Sequence, residues 1–568
     1  MLNFIDFEVF PKLWTATIIN PITRTKEVFV NDPWGLRDFH YHHSKEIYVT
    51  FNGRNYDDYI MKAILVGIDP WVMNQWIIHK KRKGWELSTD LRKVKLNSFD
   101  CMIGFNGLKT LEAFSGMDIR ETTIPFDYDG EFTPEMIEEV LKYNEHDVLA
   151  TIKVFLERKS EFDSYLGLIT MFNLPMTYMS KSKAQLAAII LGARKSHHSD
   201  EFDISFPPTM RVEKYTQVLD YFRNGWNYDT KLETMIAGVP HVYGTGGIHG
   251  AIPNYIAEGE FLHVDVNSYY PSLMLRYPEY CMSRSGASVE KYREIKDDRI
   301  KFKKMKDPRA NALKIVLNST YGAMKDRFNP LFDPRSANNV CVFGQVLLTD
   351  LIERLENHCQ IIQSNTDGLI VKLHGNESEV KSICKEWEER TGMGLGYDRM
   401  TKIIQKDVNN YIAVFEDGSL ECKGSYVKAL NNLDYDLPIV NKATKAYFIN
   451  GVMPEKTVGD ADKLIEFQKV VKLSPKYEWV EHEQCPRNKR YDQKAYRVFA
   501  SNRPTDGRLL KCKMTEKGEK KDKFGNTPNQ CFIDNGCMDG LGVPTHLDRQ
   551  YYIDLAWKRI HDFEGVKK

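Results

Sequence analysis

The first ten residues carry a strand pattern. Positions 5–9 alternate strictly between apolar and acidic residues, which predicts a half-buried β-strand. Because successive side chains of a strand point to opposite faces, Asp6 and Glu8 share one face and the apolar residues share the other. Short apolar runs then alternate with amphipathic helical segments through the N-terminal part, and this alternation predicts an α/β domain.

A predicted helix between Asp129 and Asp147 closes this N-terminal domain. Thr133 is suited to the N-cap and Pro134 to the first helical position. The apolar stripe of the helix consists of Ile137, Val140, Leu141 and Val148. We expect a mostly helical segment to continue from there to about Ile236.

The second half of the chain mixes strands and helices. A glycine cluster at positions 244–250 predicts a loop with close backbone approach, and residues 261–266 are predicted to form a strand. A basic helical segment extends to Met324, and two short apolar runs flank a turn around Asp367. The tail after about Asp434 is only weakly patterned. Together these patterns predict a multidomain protein of α/β and α+β class.

Length and composition allow several domains and argue against a membrane protein. The chain has 568 residues, of which 42% are hydrophobic and 27% charged, and this length suggests roughly three to five domains. No run of about 18 apolar residues occurs. The start of the chain lacks the features of a signal peptide. The ten cysteines show no C-x-x-C spacing, so we expect free thiols and a cytoplasmic location. Because no long apolar run occurs, we expect no membrane contact.

The net charge of zero does not exclude a nucleic-acid partner, because binding to a polyanion depends on local basic surface. One candidate surface is the segment Lys291–Lys314, which holds ten Lys/Arg and four Asp/Glu. A solvated helical face explains this charge equally well.

Acidic residues recur at three places in the N-terminal domain. Asp6 and Glu8 share a strand face, where two carboxylates repel each other unless a cation such as Mg²⁺ lies between them. A further acid ends the stretch Asn52-Gly-Arg-Asn-Tyr-Asp57, with Asp58 as its rival. Tyr143 and Asp147 are separated by four residues, so they point the same way from the predicted helix.

These three elements resemble the exonuclease motifs D-x-E, N-x-x-x-F/Y-D and Y-x-x-x-D of DnaQ-like proofreading domains, in the same order. The resemblance implies a ribonuclease-H-like domain with 3′→5′ exonuclease activity. It implies that Asp6, Glu8, Asp57 and Asp147 hold two divalent metal ions, and that Tyr143 helps to position the attacking water. The spacing from Asn52 favours Asp57 over Asp58.

Three strings in the second half resemble motifs of family B DNA polymerases. His263-Val-Asp265-Val-Asn-Ser-Tyr-Tyr270-Pro-Ser resembles motif A, with Tyr269 in place of the usual Leu. Lys314-Ile-Val-Leu-Asn318-Ser-Thr-Tyr321-Gly resembles motif B, and its polar residues share one helical face. The opposite, apolar face consists of Leu313, Val316, Leu317 and Thr320. The string Gln363-Ser-Asn365-Thr-Asp367-Gly368 resembles motif C, Y-x-D-T-D-S.

The family resemblance implies a role for each motif residue. Asp265, Asp367 and the backbone carbonyl of Val266 would bind two catalytic metals, Mg²⁺ or Mn²⁺. Tyr270 would lie under the incoming sugar and exclude a 2′-hydroxyl. The remaining nucleotide contacts would come from Lys314, Asn318 and Tyr321. The sequence departs from motif C, where Asn365 replaces the first Asp and Gly368 the Ser, and this affects the expected metal affinity more than the expected activity.

Two further matches are weaker. The loop 245–247 lies where the family has Y-x-G-G, with Gly244 at the Tyr position and Tyr243 beside it. Asn409-Asn410-Tyr411 lies where the family has K-x-Y, which grips the primer terminus. The Lys is missing, and either Lys406 or Lys423 could replace it.

The resemblance, over about residues 1–430, implies a right-hand polymerase of compact bacteriophage type. The predicted domains are an exonuclease (1–160), a connecting region with the first part of the palm (161–274), fingers (275–330), the second part of the palm (331–433) and a thumb (434–568). The thumb is assigned by position alone, with Arg487, Lys489, Arg490 and Arg497 as candidates for contacts to the DNA backbone.

The predicted function is template-directed extension of a primer with dNTPs, together with proofreading. The expected partners are primer–template DNA, dNTPs and phage replication proteins such as a helicase, a primase and a single-strand-binding protein. Asn365 leaves one rival, a nucleic-acid-binding protein with a degenerate palm that retains only exonuclease activity. RNA synthesis is disfavoured by Tyr270 and by the full exonuclease set. The protein-primed phage polymerases are related but carry sizeable insertions between the polymerase motifs, where this chain has 49 and 43 residues.

Overall fold

The computed structural model describes residues 1–102 and 104–566. The chain forms two compact units. Unit 1 comprises Met1–Ser180, Leu430–Ala446 and Val452–Leu555, and unit 2 comprises Lys181–Ala429, Tyr447–Gly451 and the C-terminal residues from Ala556. The predicted division into five domains is finer than these two units and stays a prediction.

The N-terminal part of unit 1 is an α/β structure. Its elements are β1 (Leu2–Val9), β2 (Trp14–Asn20), β3 (Thr25–Val30), α1 (Pro33–His43), β4 (Ile47–Thr50), α2 (Asp57–Val66), α3 (Pro70–Asn74), β5 (Ser98–Asp100), α4 (Leu108–Phe114), α5 (Pro134–Glu157) and α6 (Lys159–Met171). The sheet has the order β3-β2-β1-β4-β5. Strands β1 to β3 are antiparallel, whereas β4 and β5 run parallel to β1.

The predicted alternation of β1 and the predicted cap of α5 are both confirmed. Ile5, Phe7 and Val9 lie in one hydrophobic core, so the acids of β1 occupy the other face of the sheet. The hydroxyl of Thr133 accepts a hydrogen bond from the backbone N–H of Met136 at 3.3 Å, and Pro134 begins the helix.

Unit 2 is built around a nine-stranded antiparallel sheet with the order β14-β13-β12-β9-β11-β10-β8-β7-β6. Its strands are β6 (Leu232–Ile236), β7 (Val239–Tyr243), β8 (His249–Ala251), β9 (Tyr255–Val266), β10 (Gln360–Asn365), β11 (Gly368–Lys372), β12 (Leu395–Asp407), β13 (Asn410–Phe415) and β14 (Leu420–Lys423). Its helices are α7 (Lys183–Ile190), α8 (Gln217–Asn224), α9 (Tyr269–Arg276), α10 (Pro278–Cys281), α11 (Val289–Lys304), α12 (Arg309–Met324), α13 (Pro334–Leu355) and α14 (Glu377–Thr391).

The expected helical segment ends earlier than predicted, at α8. Residues 232–236 instead form strand β6, which pairs with β7. More exposed and less exposed side chains alternate there with a period of two, as in a strand. The strand at 261–266 is confirmed and is longer than predicted.

The C-terminal part, weakly patterned in sequence, is nevertheless regular. It contains α15 (Pro438–Asn450), α16 (Pro454–Asp460), β15 (Lys469–Lys472), β16 (Trp479–Gln484), β17 (Lys489–Tyr491), β18 (Ala495–Ala500), β19 (Asp506–Thr515), β20 (Gly518–Lys523), β21 (Cys531–Ile533) and α17 (Arg549–Glu564). The strands form two small antiparallel sheets with the orders β15-β18-β21 and β17-β16-β19-β20. The mixed, multidomain fold class predicted from the sequence is confirmed.

Arg497 was predicted to contact DNA, and this is wrong, because its side chain is fully buried within unit 1. The guanidinium donates hydrogen bonds to the carbonyls of Glu112, Ala113 and Met117 at the end of α4, and to the carbonyl of Gly536. Arg497 therefore adds hydrogen bonds to carbonyls at and just beyond the end of α4, and those of Glu112 and Ala113 also accept backbone N–H groups. Arg487, Lys489 and Arg490 are exposed.

Two expectations from composition can be compared with the described chain. No helix in residues 1–102 and 104–566 is long and apolar enough to cross a membrane. All ten cysteines are free thiols.

Candidate active sites

Three acids of unit 1 converge on the open face of β1. Asp6 and Glu8 come from the strand itself, and Asp147 comes from α5. One carboxylate oxygen from each lies within 4.8 Å of the other two. The structure thus brings Asp147 to two acids that lie at least 139 positions earlier in sequence. Hard oxygen ligands in this arrangement suit a divalent cation.

Neighbouring polar residues fix the orientation of these acids. Asn144 is fully buried and donates a hydrogen bond to Asp6 Oδ2 at 2.7 Å, while its own Oδ1 accepts one from the hydroxyl of Thr15. Sequence reasoning missed Asn144, although a buried asparagine inside the Tyr143–Asp147 string was a usable signal.

Lys109 of α4 is the second residue that sequence reasoning missed. Its ammonium lies 2.5 Å from Asp147 Oδ1, 3.0 Å from Glu112 Oε1 and 4.6 Å from the ring centre of Tyr143. Although burial opposes protonation, the charges of Asp147 and Glu112 raise the pKa of Lys109, so this cation persists.

The single positive charge of Lys109 does not offset the negative charges of the three acids. Burial, followed by the charge of Asp147, raises the pKa of Asp6 to about 8, and burial raises the pKa of Asp147 to about 6 against the opposing charge of Lys109. Burial and the charge of Asp6 also raise the pKa of Glu8 well above its usual range. Acids that take up protons in the absence of a cation fit a site that binds divalent metal.

Asp57 and Asp58 occupy different surroundings at the start of α2. Burial, and then the charge of Asp6, raises the pKa of Asp57 well above its usual range. The carboxylate of Asp58 instead accepts a hydrogen bond from the hydroxyl of Ser98 at 2.8 Å. Asp57 therefore interacts with the acids of β1, although it is not one of the three within 4.8 Å of one another.

Tyr143 remains a hydrogen-bond donor in this surrounding. Burial and the charge of Glu8 raise the pKa of its phenol, so the hydroxyl keeps its proton at neutral pH.

The second acidic site lies in unit 2, where β9 pairs with the β10–β11 hairpin. Asp265 on β9 is directly opposite Gly368, and the N–H of Val266 donates a hydrogen bond to the carbonyl of Asp367 at 2.8 Å. Thr366 forms the turn with a positive φ of 54°. A Cβ at Gly368 would meet the carbonyl of Val264 at 3.0 Å, so this close approach favours the glycine.

The electrostatics of this pair also fit a cation. Burial, followed by the charge of Asp367, raises the pKa of Asp265 to about 6, and burial raises the pKa of Asp367. Asn365 is opposite His249 on β8, and its Oδ1 accepts a hydrogen bond from the hydroxyl of Thr366 at 3.3 Å.

Two cavities meet at these aspartates. The first, of about 350 Å³, is lined by Asp265, Val266, Ser268, Tyr269, Tyr270, Pro271, Leu317, Asn318, Tyr321, Thr366 and Asp367. The rings of Tyr270 and Tyr321 are edge to face at 4.8 Å. Three of the four predicted nucleotide contacts thus line one cavity, and Lys314, exposed on α12, is not among its lining residues.

Arg299 of α11 is a further cation that sequence reasoning did not single out. Its Nη1 donates a hydrogen bond to the hydroxyl of Ser268 at 3.1 Å, on the wall of the first cavity. Its Nε is buried and has no hydrogen-bond partner among the described residues.

The second cavity, of about 400 Å³, is also lined by the two aspartates. Asn365, Asn409, Tyr411 and Lys423 line it together with both acids. Tyr411 on β13 is directly opposite Lys423 on β14. Lys406 pairs with Asp407 at 2.6 Å and does not line the cavity, so Lys423 is the lysine that lies beside Tyr411.

The predicted glycine loop approaches the same turn. A Cβ on Gly247 would meet Thr366 at 2.5 Å, so the predicted close backbone approach is confirmed. The amide of Gln345 on α13 holds the loop by donating to the carbonyls of Gly244 and Gly246. Tyr243, next to the expected Tyr position, is fully buried and does not reach a cavity surface.

Comparisons with known proteins agree with the polymerase motifs. No protein-family model matches the chain. DNA polymerase 1 of Saccharolobus solfataricus is 26% identical over 179 residues, covering 28% of this chain and 20% of that protein. DNA polymerase 1 of Sulfolobus acidocaldarius is 24% identical over 172 residues, covering 27% and 20%. The chain is similar to archaeal DNA polymerases.

The matched segment spans about a fifth of the length of these curated relatives. Among solved structures, the family B DNA polymerase from the hyperthermophilic archaeon Pyrobaculum calidifontis aligns with a TM-score of 0.43 and 14% identity, over 100% of this chain and 78% of that one. The sequence similarity is to DNA polymerases, and both the family B assignment and the bacteriophage type stay predictions.

Proposed function

We propose that this chain is a template-directed DNA polymerase that extends a primer 3′-hydroxyl with dNTPs and proofreads with its own 3′→5′ exonuclease. The observation that carries the proposal is the register of β9 against β11. It places Asp265 beside the turn residue Asp367, where two cavities meet. The proposed reaction joins a primer end to a nucleotide, so both substrates must reach the same pair of metal-binding acids.

Each of the two cavities would hold one of the two substrates. The first, walled by Tyr270, Asn318 and Tyr321, would hold the incoming nucleotide, and the ring of Tyr270 would exclude a 2′-hydroxyl. Arg299 at its wall and Lys314 on the same helical face as Asn318 would neutralise phosphate charge. The second cavity, with Tyr411 and Lys423, would hold the primer terminus.

Asp265, Asp367 and the carbonyl of Val266 would hold two Mg²⁺ or Mn²⁺ ions. Such ions supply an activated nucleophile and charge stabilisation for in-line phosphoryl transfer. The raised pKa values of both acids support this assignment, because a bound cation stabilises the charged carboxylates against the burial that otherwise favours protonation.

The exonuclease proposal is supported by the acids of unit 1. Asp6, Glu8, Asp57 and Asp147 would hold a second pair of metal ions. Tyr143 would donate a hydrogen bond from its protonated phenol. Lys109 would hold Asp147 in place. The proposed substrate is the 3′ end of a DNA strand.

The finer assignments rest on the motif resemblance. We propose that the chain acts on primer–template DNA in the cytoplasm and replicates a phage genome with a helicase, a primase and a single-strand-binding protein. Asn365 is the observation that favours the second candidate, a nucleic-acid-binding protein that retains only the exonuclease.

A primer-extension and digestion assay with three proteins tests the proposal. Asp6→Ala combined with Glu8→Ala should abolish 3′→5′ digestion and leave extension intact, because the two sites use different ligands. Asp367→Ala should do the opposite. A wild-type chain that digests DNA but never extends a primer would support the second candidate. Loss of both activities in either folded variant would contradict two independent sites.

A further inference from the structure

A strongly basic segment of unit 1 has no role in either active site described above. Residues 75–95, here called the basic–aromatic loop, connect α3 to β5 and contain seven Lys/Arg against two acids, in a chain whose net charge is zero. Four of the basic residues are consecutive, at positions 80–83. The loop is therefore strongly basic, although the whole chain has a net charge of zero.

The charge of these four residues is not compensated. Lys80, Lys81, Arg82 and Lys83 are all exposed, and none forms an ion pair with a described carboxylate. Several other exposed lysines of the same domain are paired with carboxylates, as Lys12 is with Glu131 at 2.8 Å. Four adjacent unpaired cations repel one another and create a local positive potential, which an anion would relieve.

The backbone of the loop is fixed, so the charges are held in place. The indole N–H of Trp76 donates a hydrogen bond to the carbonyl of Lys83 at 3.0 Å, and the N–H of Arg82 donates one to the carbonyl of Trp76 at 3.1 Å. Gly84 packs on Tyr59, since a Cβ there would meet the ring at 2.4 Å. A fixed array loses little freedom when it binds a ligand.

Aromatic rings alternate with the cations. The ring of Trp85 is 42% exposed and lies 6.4 Å from the ring of Tyr59. The ammonium of Lys83 lies 5.9 Å from the ring centre of Trp85, and the ammonium of Lys62 lies 5.1 Å from that of Tyr59. Exposed rings between cations offer a stacking surface beside phosphate ligands, which unpaired bases can use and paired bases cannot.

We propose that the basic–aromatic loop is a binding site for single-stranded DNA, with phosphates on residues 80–83 and a base stacked on Trp85. The inference rests on the proposed function for the source of the strand. Tyr59 and Asp57 both belong to α2, so a strand held on the loop is anchored to the helix that presents an acid to the exonuclease site.

The test compares full-length variants of equal charge. The neutralised variant carries Lys80→Gln, Lys81→Gln, Arg82→Gln and Lys83→Gln. The control carries Lys12→Gln, Lys26→Gln, Lys142→Gln and Lys159→Gln, which removes the same charge from lysines that are paired with carboxylates. Affinity for a 20-residue oligothymidylate is measured without divalent metal over a range of salt concentrations.

The neutralised variant should bind the oligonucleotide about tenfold or more weakly at 0.1 M salt. Its slope of log affinity against log salt should fall by about 2–3, since each lost phosphate contact on a single strand contributes roughly 0.7. The control should stay within about twofold of wild type. Trp85→Ala should weaken binding about fivefold or more, as expected for one lost stacking contact. An iodouracil-substituted oligonucleotide should photocrosslink to the peptide that contains Trp85.

Four results would overturn the inference: equal losses in the neutralised and control variants, unchanged binding by Trp85→Ala, crosslinks confined to other peptides, or an equal loss for duplex DNA or anionic vesicles. Extension of a short primer–template at saturating DNA separates this inference from the proposed function. A wild-type chain that does not extend a primer, but loses strand binding on neutralisation, contradicts only the polymerase proposal.

Discussion

Asn365 gives the β10–β11 turn one negative charge fewer than two aspartates would. Two carboxylates so close together would repel each other, and an asparagine keeps an oxygen donor without that repulsion. Its side chain accepts a hydrogen bond from Thr366 and lines the second cavity beside Asp367. We therefore expect metal binding to depend on Asp265 and Asp367, with substrate phosphates completing the coordination.

Asn365→Asp should change the rate of nucleotide addition by about tenfold or less, which corresponds to about 1.4 kcal/mol of barrier. Asp367→Ala should remove addition and leave digestion at the unit 1 site. The measurement is single-turnover addition by wild type and both variants at saturating Mg²⁺. A silent wild type rescued only by Asn365→Asp would show that the wild-type palm is degenerate.

Tyr270 should determine the choice between dNTPs and rNTPs. Tyr270→Ala should permit measurable ribonucleotide incorporation, because the ring no longer blocks the space under the sugar. Tyr270→Phe keeps the ring and should keep the discrimination. The readout is the ratio of kcat/KM for a dNTP and the matching rNTP, and an unchanged ratio in Tyr270→Ala would refute the assignment.

At the scale of elements, β7 and β8 enclose a buried histidine. His241 is 1% exposed, and a Cβ at Gly250 on β8 would meet its ring at 2.3 Å. The ring nitrogen Nδ1 lies 2.9 Å from the carbonyl of Val239, while Nε2 has no hydrogen-bond partner among the described residues. Burial lowers the pKa of His241 to about 4, so this contact between strands requires a neutral ring.

His241 should make the protein less stable in acid. The unfolded chain protonates this histidine near pH 6.5, whereas the folded chain does so near pH 4. Stability is therefore complete above pH 6.5 and falls as the pH drops towards 4, by up to about 3 kcal/mol. Urea unfolding between pH 7 and pH 4.5 should show a smaller loss in His241→Phe than in wild type. His374→Phe, at an exposed position, is the control, and equal losses in wild type and His241→Phe would exclude this role.

An element could be predicted from sequence when its apolar and polar residues alternate with a regular period. In β1, α5 and α12 the apolar side chains recur on one face, so period and caps identified these elements from sequence. In β18 all six residues are buried, so no alternation marks that strand. The acids were found because their spacing matches known motifs. Lys109 and Arg299 reach the sites from α4 and α11, where no local pattern indicates a partner distant in sequence.

At the scale of the whole molecule, the two stretches between the motif residues consist largely of helices of unit 2. Helices α9 to α11 fill most of the stretch between Asp265 and Lys314, and α13 fills much of the stretch between Gly322 and Asn365. Tyr292 of α11 donates a hydrogen bond to the carbonyl of Leu317 on α12 at 3.0 Å, so these two helices pack as a short hairpin. Apart from these helices, the described residues of the two stretches contain only the ends of β9 and α12 and the strand β10.

The isolated chain should therefore have modest processivity and should not displace long strands. Priming should not depend on a terminal protein held as in the protein-primed phage polymerases, whose insertions have no counterpart here. Extension on a primed circular template, with a trap for free enzyme, measures both properties. Products longer than one circle in the absence of partner proteins would contradict this expectation.

The buried contact between Arg497 and the end of α4 has a consequence for biosynthesis. Arg497 bonds to Ala113, 384 positions earlier in the chain. At about 5–20 residues per second, a ribosome needs roughly 20–80 s to make the residues between them. During that time the carbonyls of Glu112, Ala113 and Met117 lack the guanidinium of Arg497. Ala113 and Ile119 also lack Ala495, their partner in a small apolar cluster. The contacts that Arg497 and Ala495 make with the end of α4 therefore form only near the end of synthesis, when the C-terminal sheets emerge.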